Sequence, residues 1–242
     1  MTQTNYFIPA WDTIVTAWEK VSGSKGSIWA AIGLLILIMF AAGFIQGVIA
    51  SVLPPLSLPL QIIVNILGFF LQLGVIYLGL LRGSDLPMNY RFMFRSFQTN
   101  IALRLIGIYI IQFLIFFALS ILLLPTIILS GVISGIAVNS STIAVILAAI
   151  LFALGVLLII FFMIRLFFSY AFVLDKGTNS WEAIKLSFKI TRGNFWRLLA
   201  ITFLQLCIMF ASGLIIIGLI WTIPLSIIIY GVAYKRMQAN LN

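Results

Sequence analysis

The chain of 242 residues has no histidine and one cysteine, Cys207, which sits in an apolar stretch. The missing histidine removes the commonest metal ligand and the commonest general base together. A single cysteine forms no internal disulfide, so cysteine usage says little about redox compartment. Acids are scarce as well: Asp12, Glu19, Asp85, Asp175 and Glu182 are the full set. None falls inside an apolar run, so no acid/base pair is placed at depth and no cluster suits a metal. The serines and threonines lack a visible partner base, and the glycines form no phosphate loop. The expectation is therefore no enzyme, no catalytic residue, no metal and no cofactor.

Charge is missing in three long stretches. Residues 26–81, 105–164 and 198–234 contain no Lys, Arg, Asp or Glu. Overall 63% of residues are hydrophobic and 8% charged, with a mean hydropathy of +1.24. A soluble domain cannot hide such stretches, whereas a bilayer core accepts about 20 apolar residues per helical span. Runs such as Val156 to Ile164 are apolar on every side, which excludes the alternating strands of a β-barrel. The N-terminal segment holds Asp12 and Glu19 ahead of the first apolar run and does not read as a cleaved signal peptide. The reading is an all-α integral membrane protein, residues 1–242 forming one polytopic domain.

Each charge-free stretch fits a pair of spans. The pairs are Ser27–Leu53 with Leu60–Leu81 across a proline-rich turn, Ala102–Leu129 with Ile143–Leu174, and Phe195–Gly218 with Leu219–Tyr234. The last pair is tight, and a re-entrant hairpin over 198–234 is its alternative. The charged clusters then all lie on one side, and their excess of Lys and Arg makes that side cytoplasmic. Six transmembrane helices with both termini inside follow. The net charge of +9 is accounted for by this bias and by contact with anionic lipid headgroups, and nucleic acid is not expected as a partner.

The charged clusters share a pattern. In Ser180 to Asn194, helical winding places Trp181, Ile184, Phe188 and Phe195 on one face, and Glu182, Lys185, Lys189 and Arg192 on the other. Asn179 with Glu182 fits a capping box. Shifted by 94 residues, Gly83 falls on Gly177, Asp85 on Asn179, Arg91 on Lys185 and Arg95 on Lys189, with an apolar face of Pro87, Tyr90, Phe94 and Phe97. Shifted by 170, Trp11-Asp12 falls on Trp181-Glu182 and Gly23 on Gly193. The chain reads as a threefold repeat of a cytoplasmic amphipathic helix and a transmembrane hairpin, in units of about 8–81, 84–174 and 178–236.

The segment from Arg165 through Asp175 and Gly177, followed by Trp181-Glu182-Ala183, Ser187 and Gly193-Asn194-Phe195-Trp196-Arg197, resembles a broad bacterial group of six-span inner-membrane proteins. That group includes the membrane domain attached to some glycerophosphoryl diester phosphodiesterases, and related uncharacterised families. The resemblance is clearest over 165–200. It implies a six-span fold in a bacterial inner membrane. The soluble phosphodiesterase domain and its metal-binding acids and histidines have no counterpart here. Many members carry a proline after the arginine, where this chain has Ser169-Tyr170-Ala171.

Several polar residues are candidates for function. Arg165 lies about ten residues, or roughly 15 Å of helix, inside Asp175. It either holds a lipid phosphate or an anionic substrate, or it snorkels or pairs locally. Lys185, Lys189, Arg192, Arg91 and Arg95 are expected to meet anionic headgroups. Gln61, Asn65 and Gln72 share a face of the second span, and Gln112 and Gln205 add amides elsewhere. These line a polar path or serve as interhelical hydrogen bonds. Gly43 with Gly47, and Gly131 with Gly135, have the spacing of close helix contacts. The first functional expectation is a non-enzymatic scaffold or accessory in envelope or lipid homeostasis, partnered by the phospholipid bilayer and by a membrane protein or a second copy of itself. The alternative is a transporter or channel for a lipid or small anionic solute.

Overall fold

The computed structural model describes residues 7–135 and 142–239, and within them every regular element is helical. In order these are α1 (Ala10–Val21), α2 (Lys25–Val52), α3 (Ser57–Gly83), α4 (Thr99–Gly135), α5 (Thr142–Phe167), α6 (Ser169–Lys176), α7 (Ser180–Thr191), α8 (Phe195–Leu214) and α9 (Leu219–Gln238). Short 3-10 turns stand at Pro54–Leu56 and Ile216–Gly218, and a longer 3-10 helix at Tyr90–Phe97. Five segments are long and apolar enough to cross a membrane: Lys25–Val52, Pro54–Gly83, Thr99–Ile121, Ala149–Lys176 and Phe195–Leu214. These are the helices of a membrane protein. The loop expected over Asn139-Ser140-Ser141 lies outside the described residues.

Burial is concentrated at the charged end. On α3 the buried residues begin at Gly68 and run to Gly83; on α9 they run from Thr222 to Met237; α6 is buried from Ser169 to Leu174. By contrast α2 buries only Ile28 and Ala31, near its start. The outer halves of the long helices expose Leu, Ile and Phe side chains, which suits a hydrocarbon solvent as it would not suit water.

Helices α3 and α9 meet through glycine. A Cβ on Gly79 would fall on the carbonyl oxygen of Ile227, one on Gly231 on that of Gly79, and one on Gly83 on the carbonyl carbon of Gly231. The small-residue spacing that brings backbones together is therefore Gly79-Leu-Leu-Arg-Gly83. Gly43 and Gly47, expected in that role, have open space around them. The same spacing occurs in both places, and only Gly79–Gly83 has a partner helix facing it. The surroundings of Gly131 and Gly135 lie outside the described side chains.

The short helices fold inward against this hub. α1 and α7 are both 12 residues long and begin 170 positions apart. Each ends in an extended residue, Ser22 (φ −61°, ψ 132°) or Arg192 (φ −64°, ψ 126°). A left-handed glycine follows, Gly23 at φ +78° or Gly193 at φ +82°, and then a spanning helix. The middle cluster departs from this pattern. Its expected amphipathic α-helix is a 3-10 helix ending at Gln98 (φ −61°, ψ 127°). Thr99 stands where the others have glycine, and a β-branched residue disfavours the left-handed region, so the chain enters α4 directly. The buried side chains there are Met93 and Ser96, while Tyr90, Phe94 and Phe97 remain exposed. Met93 crosses Gly74, whose absent Cβ would collide with the Met93 carbonyl.

Two further expectations are corrected. Asn179 precedes α7 without a side-chain cap bond, so the capping box does not form. The left-handed residue that mirrors Gly177 (φ +60°) is Asp85 (φ 57°), not Gly83, which still belongs to α3. Asp85 receives Lys20 Nζ at 2.7 Å, and this ammonium, more than any other group, holds its carboxyl below the usual range.

Candidate functional site

The fourth expected span, Ile143–Leu174, is interrupted at Phe168 and divides into α5 and α6. A break inside an apolar helix frees backbone carbonyls that lipid cannot satisfy. Three consecutive carbonyls here each receive a side chain from another part of the chain. Ser187 of α7 donates to Arg165 O, Gln112 of α4 to Leu166 O at 3.1 Å, and Tyr230 of α9 to Phe167 O at 2.9 Å. Ser169 also donates back to Leu166 O. The Gln112 carbonyl in turn accepts from Tyr170 at 2.7 Å. Gln112, flagged in the sequence as an intramembrane amide, is thus the centre of a structural network. No Gly or Pro marks the break, so nothing local in the sequence signals it.

Beside this break lies a cavity of about 710 Å³ between α4, α5, α8 and α9, with Ile76 of α3 at one edge. Its walls are largely Leu, Ile and Phe. Its polar members are Gln112, Thr202, Gln205, Ser226 and Tyr230, and no acidic or basic side chain lines it. Thr202 and Ser226 bond back to their own helices, at Leu198 O and Thr222 O. Gln205 makes no hydrogen bond among the described residues.

Arg165 does not face this cavity. Ile160, Met163, Ile164 and Phe167 line it, and helical winding puts Arg165 on the opposite side of α5. Its guanidinium lies 4.6 Å from the Phe161 ring and 5.5 Å from the Phe188 ring. Its Nε is buried without a hydrogen-bond partner among the described residues.

The remaining amides separate. Gln46, Gln61 and Asn65 form a chain of hydrogen bonds between α2 and α3. Gln72 is exposed on α3. The expected polar residues therefore lie in several places and do not converge on one path.

The cations divide into two groups. Some close helix ends. Arg82 donates to Lys20 O and Ser22 O, both at 2.8 Å, at the end of α1. Arg95 donates to Leu174 O at 2.7 Å and lies over the Tyr77 ring at 4.9 Å. Arg104 donates to Gly177 O, just past the end of α6. Arg236 pairs with Asp12 at 2.6 Å and bonds Thr13 and Thr16. The bonds of Arg82, Arg95 and Arg104 satisfy carbonyls at helix C-termini, while Arg236 ties α9 to the side of α1. Arg95, counted among the headgroup contacts, is thus turned inward, while Arg91 beside it is exposed; both border a shallow recess of about 470 Å³ with Tyr77 and Gln98.

Lys185, Lys189 and Arg192 stand exposed on the outside of α7, with Lys185 5.4 Å from the Trp181 ring. The buried face of α7 is Ala183, Ile184, Ser187, Ile190 and Thr191. Trp181, expected on the apolar face, is 60% exposed beside the lysines. Sequence reasoning passed over Thr202 and Ser226 and read Tyr230 only as an interfacial aromatic, whereas it is buried against Phe167 O; the hydroxyls at 222, 226 and 230, one turn apart on α9, were the available signal. Set against known proteins, the chain matches no family model, no curated protein and no solved structure.

Proposed function

We propose that this chain is a non-enzymatic scaffold or accessory protein of a bacterial inner membrane, acting in envelope or lipid homeostasis. It crosses the bilayer six times, with α9 as the sixth span, and both termini are cytoplasmic. It is built from three related units of a short helix and a hairpin. The clustering of charge, the α8–α9 hairpin and the equal turns after α1 and α7 support that arrangement. The segment around 165–200 that resembles bacterial six-span proteins supports the location.

The observation that carries the reading is the outer face of α7. Its inner face is locked to α5 and α6, while Trp181, Lys185, Lys189 and Arg192 project outward together. Such a strip of aromatic and basic side chains suits anionic headgroups and a partner's acidic surface alike. The scattering of the intramembrane amides supports a scaffold over a conduit.

Native mass spectrometry of the gently solubilised protein tests this. A stoichiometric second polypeptide or second copy is expected, lost in Lys185→Glu/Lys189→Glu while the fold is retained. Protein alone, with anion flux through reconstituted liposomes that Arg165→Ala abolishes, overturns the scaffold in favour of a transporter.

A further inference from the structure

The cavity beside the helix break has a chemistry of its own. Its volume of about 710 Å³ falls within the range of roughly 300–1,000 Å³ typical of ligand pockets. Four spanning helices form it, and several of its wall residues, Met163, Phe167, Phe203 and Leu206 among them, are also exposed on the molecule's apolar flank. Its supply of ligand is therefore the bilayer.

The lining excludes a charged head. No cation lines it, Arg165 is on the far side of α5, and transferring an unpaired phosphate or carboxylate into such a site is prohibitive. The lining nevertheless calls for a polar head. Gln205 is half-buried in the cavity wall with neither its NH₂ nor its carbonyl hydrogen-bonded by the described residues. Its amide is open to the cavity, and among apolar surroundings an amide is stabilised by a partner that can pair with it. The other polar groups around the cavity are already bonded to backbone. One group remains that both donates and accepts.

We propose that the cavity binds a neutral, hydroxyl-bearing lipid of the diacylglycerol type. Its hydroxyl and ester carbonyl pair with the Gln205 amide. Its acyl chains lie along Met163, Phe203 and Leu206 and leave through the open flank. The inference stands apart from the scaffold reading, which rests on the outer face of α7.

The test is photolabelling in phosphatidylcholine nanodiscs with a diacylglycerol carrying a diazirine in its acyl chain. Labelling is expected on α5 and α8, displaced by unlabelled dioleoylglycerol and not by dioleoyl phosphatidate. Gln205→Leu is expected to cut labelling about tenfold, the effect of a lost hydrogen bond worth about 1.4 kcal/mol. Its thermal stability stays level or rises, because that amide holds no other part of the chain. Thr202→Trp, which fills the cavity from a position one turn away and leaves the amide in the chain, is expected to abolish labelling. Labelling that survives either variant, or that phosphatidate displaces as well as dioleoylglycerol does, overturns the proposal.

Discussion

Gly231 of α9 rests on Gly79 of α3 so closely that a methyl group on Gly231 would occupy the position of the Gly79 carbonyl oxygen. The obstacle is backbone, which cannot rotate aside as a side chain can. Gly231→Ala and Gly79→Ala are therefore expected to destabilise the fold by about 1–3 kcal/mol, the usual cost of overpacking. Gly43→Ala, in open space, is expected to lose nothing and to gain slightly from helix propensity. Unfolding in graded sodium dodecyl sulfate, followed by circular dichroism, ranks the three variants.

Gly23 and Gly193 differ from those contact glycines in kind. Gly193 has nothing within 4 Å of a built Cβ, yet its φ of +82° is one that side chains rarely adopt. Gly193→Ala is expected to cost about 1–2 kcal/mol, the penalty of the left-handed region for a residue with a Cβ. Gly193→Asn, which tolerates that region better, is expected to recover part of the loss. Thermal denaturation of the three proteins side by side decides it.

Arg82 bonds two carbonyl acceptors at the end of α1, Lys20 O and Ser22 O, with two different nitrogens. A lysine has one nitrogen and no fork. Arg82→Lys is expected to retain part of the cap, and Arg82→Ala none, at a cost of about 1–3 kcal/mol for the orphaned groups. Hydrogen exchange should show faster amide exchange in the last turn of α1, greatest for Arg82→Ala.

Asp85 gives a pH dependence with a defined sign. Lys20 holds its folded carboxyl below the ordinary value of 3.8. The ion pair thus stabilises the folded state fully above that value, and the contribution disappears as pH falls through the lower folded one. Because Asp85 is exposed, the effect is small. The stability difference between wild type and Asp85→Asn, which keeps a residue tolerant of positive φ, should be measurable at pH 6 and vanish near pH 2.

The long apolar helices could be read from the charge-free stretches, because a bilayer enforces that pattern at every residue it touches. The pairs of glycines at 23 and 193 were equally readable, since their neighbours repeat at one spacing. What could not be read was tertiary. Gly79–Gly83 and Gly43–Gly47 present the same local pattern, and only the arrival of α9 distinguishes them. Arg95 looks like any surface cation until α6 ends beside it. The break at Phe168 is written in serine, glutamine and tyrosine on four different elements, so no single window of sequence contains it. Of the site residues named in advance, Gln205 and Gln112 border the cavity; Arg165 faces away from it.

The carbonyls freed at that break set an order on biogenesis. Arg165, Leu166 and Phe167 leave the ribosome before Ser187, and well before Tyr230. Gln112 is already in place when they emerge, so Leu166 is satisfied at once. Phe167 waits for a hydroxyl made 63 residues later. Until α9 has been made, the fourth span is held with an unmet acceptor at its weakest point. The last helix to be made thus completes the middle of the chain, and a chain arrested before Tyr230 leaves the Phe167 carbonyl without that hydroxyl.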